Sequence, residues 1–165
     1  PRQSVVVETG ANAHDDVTTT VRNGTLVIET KHGAFWQASH GDLQLRVTLP
    51  KLNALALNGA GNLTVNGTTG GELVIVVAGA GNLEAGGEVK TLTVRVNGAG
   101  NADLRRLVAT EAYVTLNGAG TVELNATQRL DATVNGVGSI QYLGQPAQLN
   151  TQLNGIGRIG PLGGN

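Results

Sequence analysis

A short motif recurs six times at nearly constant spacing, and it limits the folds open to the chain more than any other feature. It reads Asn58-Gly59-Ala60-Gly61, Ala78-Gly79-Ala80-Gly81, Asn97-Gly98-Ala99-Gly100, Asn117-Gly118-Ala119-Gly120, Asn135-Gly136-Val137-Gly138 and Asn154-Gly155-Ile156-Gly157, at steps of 20, 19, 20, 18 and 19 residues. So steady a period marks a solenoid, in which each repeat is one coil that buries its apolar side only against its neighbours. Gly-x-Gly text also occurs in phosphate-cradling loops that open a helix. Here each copy runs on into strand-like residues, and a nucleotide site has no need of six copies.

The flanks of the motif alternate with a period of two. Leu73, Leu92, Ala112, Leu130 and Leu149 stand five residues before its first position; Ile75, Val94, Val114, Ala132 and Thr151 stand three before; Val77, Val96, Leu116, Val134 and Leu153 stand one before. Between them lie polar or small residues such as Arg95, Thr115, Thr133 and Gln152. After the motif the alternation resumes with Leu83, Ala102, Val122, Ile140 and Ile159, and then Ala85, Leu104, Leu124 and Tyr142. This is the pattern of half-buried strands. Equivalent strands of successive coils satisfy their backbone groups by pairing about 4.8 Å apart. The expected fold is therefore all-β, a parallel β-helix with coils of about 19 residues. Parallel crossovers within one sheet are nearly always right-handed, so a right-handed coil is expected.

The glycines are expected at bends, where positive φ or close backbone approach favours them. Gly98 and Gly118 are expected to resist substitution far more than Thr115 or Thr133, because a β-branched residue at positive φ is strained. The residue between the glycines is apolar in all six copies, and it is expected to fill the interior at the corner.

Composition agrees with a solenoid and excludes several functions. The 165 residues suit one domain, and they include 25 Gly, no Cys, no Met, one Trp, one Phe and two Tyr. The core must then be aliphatic, and disulfide frameworks and thiolate chemistry are excluded. Eleven basic and 12 acidic residues give a net charge of −1, without the basic footprint of a nucleic-acid binder. The longest apolar run, from Leu73 to Gly81, is far shorter than the roughly 20 residues of a spanning helix. The chain opens on Pro1, which suits a form from which a secretion signal has been removed.

One β-helix domain is expected over residues 1–165. Residues 1–50 would supply irregular N-terminal coils and a cap, residues 51–159 the regular coils, and residues 160–165 a tail. In the first part Val5 to Val7, Val17 to Val21, Leu26 to Ile28 and Leu43 to Leu49 read as strands. Lys31 to Asp42 reads as a loop carrying Phe35 and Trp36, the bulky groups available to shield an end. The C-terminal coil is followed only by Gly160-Pro161-Leu162-Gly163-Gly164-Asn165. Its end is expected to be weakly capped by that tail or paired with another copy.

The repeated apolar-x-apolar-Asn-Gly-Ala-Gly-Asn text resembles the Gly-Ser-Gly-Asp repeats of the head GIN domain family, named for auto-transporter adhesin heads. Asn23-Gly24-Thr25-Leu26-Val27-Ile28, Val47-Thr48-Leu49-Pro50 and Ile140-Gln141-Tyr142-Leu143-Gly144-Gln145-Pro146 add to the likeness, which runs from about Val5 to Ile159. Asn stands where the family has Ser, and Ala, Val or Ile stands between the glycines, so this corner is the more apolar one. The resemblance implies a right-handed parallel β-helix exported to the periplasm, the outer-membrane surface or beyond, with no established catalysis, cofactor or ligand.

Three groups of residues are candidate sites. Glu84, Asp103 and Glu123 stand six residues after the motif's first position, in line with Thr64 and Gln141. Paired carboxylates of this kind could bind a cation or act on a polysaccharide; they could equally form a solvated face balanced by Lys90, Arg95, Arg105 or Arg106. His32, Trp36 and His40, with Asp42, could form a metal or sugar site on the loop, or simply decorate it. The motif asparagines could present amides to a ligand or bond to one another along the solenoid. Ser4, Ser39 and Ser139 lack a His/Asp arrangement for nucleophilic work. The expectation is a non-catalytic surface or envelope module, without metal or cofactor, serving adhesion or scaffolding. Its partners would be a second copy, end to end or side by side, or a surface glycan or protein. The alternative is a carbohydrate-active β-helix using the acidic column.

Overall fold

The computed structural model describes residues 4–8, 17–22, 25–30, 44–48 and 52–163, and it is built from strands. In chain order these are β1 (Ser4–Glu8), β2 (Val17–Arg22), β3 (Thr25–Thr30), β4 (Gln44–Thr48), β5 (Ala54–Val96), β6 (Ala99–Leu116), β7 (Ala119–Val134), β8 (Val137–Leu143), β9 (Gln148–Leu153) and β10 (Ile156–Pro161). Among the described residues no helix is long and apolar enough to cross a membrane. The strands β4, β5, β6, β7, β8 and β10 follow one another in parallel ladders, and β9 lies parallel to β7. The result is a β-solenoid of about six turns with a spacing near 19 residues. β5, β6 and β7 are long because strand hydrogen bonding continues around the bends.

Register follows the repeat. Leu83 pairs with Ala102, Ala102 with Val122, Val122 with Ile140 and Ile140 with Ile159. Each inward side chain therefore stacks on its equivalent in the coil before. The core is aliphatic, as the scarcity of aromatics requires, and its columns mix sizes: Leu92, Ala112 and Leu130 are all fully buried in one of them. A small residue between two large ones lets adjacent layers interdigitate at native packing density. Burying each such Leu is worth about 1.5–3 kcal/mol.

The N-terminal segments differ in kind. β4 continues the parallel ladder onto β5, but β1 runs antiparallel to β4, with Ser4 opposite Thr48 and Glu8 opposite Gln44. β2 and β3 form a separate antiparallel two-stranded sheet, with Val17 opposite Thr30 and Arg22 opposite Thr25. Only β4 of these four strands thus stacks as a parallel coil. For β2 and β3 the physical reason is connection length: two residues join them, and a link that short permits only an antiparallel return.

The corner corrects one expectation. The residue between the glycines does not fill the interior: Val137 is 57% exposed and Ile156 74%. The alternation of the flanking strand passes through the corner unbroken, as the sequence exposed Asn97, half-buried Gly98, exposed Ala99, half-buried Gly100, exposed Asn101 and buried Ala102 shows. The glycines occupy the inward positions, and the residue between them points outward.

A second correction concerns why the first glycine of the motif is needed. A Cβ on Gly98, Gly118, Gly136 or Gly155 would lie only 1.8–2.0 Å from the carbonyl oxygen of the matching glycine one coil earlier, and none of the four has positive φ. Close approach, rather than left-handed backbone, is the constraint. The approach is set by hydrogen bonds that carry the ladder through the bend: Ala119 N donates to Gly98 O at 2.9 Å, Val137 N to Gly118 O at 2.9 Å and Ile156 N to Gly136 O at 2.9 Å.

One buried polar group departs from this economy. Thr68 is fully buried, and its Oγ1 has no hydrogen-bond partner among the described residues. An unsatisfied buried hydroxyl costs about 1–3 kcal/mol, and valine has nearly the same shape. Thr68→Val is therefore expected to raise stability by about 1 kcal/mol, read as a higher urea midpoint at unchanged slope.

Candidate functional site

Because alternation survives the bend, four outward columns run side by side along the corner. The first holds Asn97, Asn117, Asn135 and Asn154. The second holds Ala80, Ala99, Ala119, Val137 and Ile156, which pair in that order from coil to coil. The third holds Asn82, Asn101, Thr121, Ser139 and Arg158, and the fourth holds Glu84, Asp103, Glu123 and Gln141. Side chains two apart on a strand share a face at about 6.6 Å, and coils repeat at about 4.8 Å. An exposed apolar stripe is thereby bordered on both sides by amides and hydroxyls.

Both polar borders are hydrogen-bonded ladders. In the first, Asn117 Nδ2 donates to Asn97 Oδ1 at 2.8 Å, Asn135 Nδ2 to Asn117 Oδ1 at 2.8 Å and Asn154 Nδ2 to Asn135 Oδ1 at 2.9 Å. In the other, Asn82 Nδ2 donates to Asn62 Oδ1 at 2.9 Å, Asn101 Nδ2 to Asn82 Oδ1 at 3.1 Å and Thr121 N to Asn101 Oδ1 at 3.1 Å. Thr121 Oγ1 and Ser139 Oγ continue it at 3.4 Å. Chains of amides fix one another's rotamers and polarise along their length. The face is consequently held in one shape before anything meets it. The first ladder follows from the motif asparagines; the second escapes a reading centred on the motif, although Asn62, Asn82 and Asn101 share one position in the period.

The acidic residues expected to share a column do so, with Glu84 beside Asp103 and Asp103 beside Glu123. Arginines from the next bend neutralise them. Arg105 Nε donates to Asp103 Oδ1 at 2.8 Å and lies 3.0 Å from Glu123 Oε2, while its Nη2 pairs with Asp103 Oδ2 and the Arg106 guanidinium pairs with Glu84. The Arg105 hydrogen bond holds the Asp103 carboxyl below its ordinary range, against a smaller upward push from burial. Glycosidic chemistry asks one carboxyl of a pair to keep a proton near neutrality. Asp103 is instead held ionised.

A second polar cluster lies on the outer surface of β6, β7 and β9. Arg129 Nε donates to Asp131 Oδ2 at 2.8 Å, Asn150 Nδ2 donates to Asp131 Oδ1 at 2.6 Å, and the guanidinium lies 5.4 Å from the centre of the Tyr113 ring. Tyr113 Oη donates to Glu111 Oε2 at 3.2 Å. Burial pushes the Asp131 carboxyl up, and the Asn150 and Arg129 hydrogen bonds outweigh it to leave the group below its ordinary range. Burial, and then the Glu111 hydrogen bond, push the Tyr113 phenol up. Nothing in the repeat singles out these residues, which come together because the register places Thr93, Tyr113, Asp131 and Asn150 in one column.

The loop candidates His32, Trp36 and His40, with Phe35, lie outside the described residues. Among the described residues no group of three or more His, Asp or Glu is arranged to hold a metal ion.

Comparison with known proteins places this architecture. The family model described as "Putative auto-transporter adhesin, head GIN domain" matches residues 1–146. The chain belongs to the head GIN domain family. Two solved structures are similar to this head GIN chain in fold. A "putative adhesin" from Bacteroides fragilis superimposes with a TM-score of 0.71 at 22% identity, covering 98% of this chain and 83% of that one. A "putative adhesin" from Parabacteroides distasonis gives a TM-score of 0.54 at 21% identity, covering 97% of this chain and 84% of that one. No curated protein matches the head GIN chain. The β9–β10 coil, from Gln148 onward, lies past the residues that the family model matches.

Proposed function

We propose that the chain is a non-catalytic module of the bacterial surface or envelope that serves adhesion or scaffolding, and that it makes contact through the corner face. One observation carries this reading. The corner exposes Ala80, Ala99, Ala119, Val137 and Ile156 in register between two polar borders, at outward positions where a soluble scaffold would carry polar residues. An apolar stripe with a satisfied polar rim is the anatomy of a recognition surface. The head GIN membership and the fold shared with two proteins described as adhesins support the same reading, and with it export to the periplasm, the outer-membrane surface or the medium.

The alternative, a carbohydrate-active protein using Glu84, Asp103 and Glu123, has less support, since Arg105 and Arg106 already occupy these carboxylates. Beads coated with the chain, tested on panels of immobilised polysaccharides and surface proteins, separate the two. Adhesion is expected to fall at least tenfold in Val137→Lys/Ile156→Lys, equivalent to about 1.4 kcal/mol, and to survive in Glu84→Gln/Asp103→Asn/Glu123→Gln. The reverse pattern would move the contact to the acidic column.

A further inference from the structure

Among the described residues nothing covers the C-terminal end of the solenoid. Leu149 and Leu153 continue inward columns in which Leu130 and Val134 are fully buried, yet they are 46% and 48% exposed. Among the described residues β9 pairs only with β7, so its other edge presents unmatched backbone groups beside an uncovered lumen. As far as Gly163 the tail does not cover it: Leu162 N donates to Tyr142 O at 2.8 Å, which prolongs the β10 ladder on β8 instead. The other end differs, because there the outer edge of β4 is taken by the antiparallel β1.

Natural edges are usually guarded by charge, above all Lys, or by Pro. This one is not guarded by charge. From Ala132 to Gly157 the chain has no Asp, Glu, Lys or Arg. The strand is also self-complementary. Gln148-Leu149-Asn150-Thr151-Gln152-Leu153-Asn154 reads the same in both directions by chemical class, as amide, Leu, amide, Thr, amide, Leu, amide. In an antiparallel pair centred on Thr151, Leu149 of one copy meets Leu153 of the other over the lumen, and Asn150 meets Gln152 outside. Pro161, without an N–H, makes β10 a poorer edge for such pairing.

We propose that two copies of the chain associate C-terminal end to C-terminal end, through an antiparallel β9–β9 pair on a two-fold axis at Thr151. The contact is isologous, so it closes at a dimer instead of growing into a fibre. It extends each lumen into the other and covers the four exposed leucines. Because Asn154 of one copy meets Gln148 of the other, the two corner faces lie on opposite edges of the joined rod, each free for its own contact.

The absence of Cys makes the test direct. At the centre of an antiparallel pair the two Thr151 Cα atoms lie about 4.5 or 5.5 Å apart, depending on the hydrogen-bonding phase, and both distances suit a disulfide. Thr151→Cys, treated with diamide, is expected to become a covalent dimer, with Arg95→Cys on the outer face as the control that does not. Sedimentation equilibrium on the unmodified chain is expected to give twice the monomer mass, and Leu149→Lys/Leu153→Lys the monomer mass with the β-sheet circular dichroism unchanged. If Thr151→Cys cross-links no faster than Arg95→Cys, the proposal is overturned even where the lysine variant fails to fold. A monomeric unmodified chain would overturn it too, leaving the open end to a following segment of chain. Assemblies that grow with concentration would instead establish head-to-tail stacking.

Discussion

Gly118→Ala is expected to cost about 3 kcal/mol or more, a loss usually reserved for the worst core substitutions. A methyl group at this position would stand 1.8 Å from Gly98 O. That oxygen already accepts the Ala119 N–H at 2.9 Å, so it cannot retreat without opening the ladder at the bend. The next coil is stacked as closely, since a Cβ on Gly136 would lie 2.0 Å from Gly118 O, and the strain cannot be passed along. Denaturant unfolding of Gly118→Ala beside Thr115→Ala, on the adjacent outer face, measures the difference. Equal midpoints would mean that the stacked glycines have room to separate.

The second large effect depends on place along the rod. Leu130 and Leu149 occupy the same inward column, one above the other. Leu130 lies between Ala112 and Leu149 and is fully buried, so Leu130→Ala should lose about 2–5 kcal/mol, the range of leucine truncations that leave a cavity. Leu149→Ala removes the same atoms from a site with one covered side, and about 1 kcal/mol is expected from the reduced area at stake. Sequence treats the two as equivalent; only their order in the stack separates them. Chemical unfolding of both variants at micromolar concentration or below, where end-to-end association is weakest, gives the contrast.

Much of the architecture was legible because the period is short and the alternation strict. Inward columns such as Leu92, Ala112 and Leu130 follow from aligning the copies, and so does the acidic column of Glu84, Asp103 and Glu123. What failed was placing the residue between the glycines inside on its apolar character alone. Counting straight through Val96, Asn97, Gly98, Ala99 and Gly100 would have put both glycines inside and the alanine outside. The apolar character of Ala99, Val137 and Ile156 argued for the core, and backbone proximity overruled it, because the inward corner has no space even for a methyl group. The antiparallel placement of β1 was hidden for another reason. Val5-Val6-Val7 is compatible with either strand direction, and direction is decided by how the intervening chain returns. The Arg105 and Arg106 pairings were foreseeable only as a general balance of charge, since which arginine reaches which carboxylate depends on the shape of the second bend.

The asparagine ladder gives each copy of the solenoid a direction. Every Nδ2 from Asn154 to Asn117 donates toward the coil that precedes it, so the carboxamide dipoles of one border point the same way and add along the axis. The row has amide hydrogens facing outward at its Asn97 end and ends at Asn154 on a carbonyl oxygen, which accepts from Gln152 Nε2 at 3.4 Å. A polymer laid along the stripe of one copy would therefore meet a compass rather than a ruler: its two possible orientations are inequivalent before any particular side chain is considered.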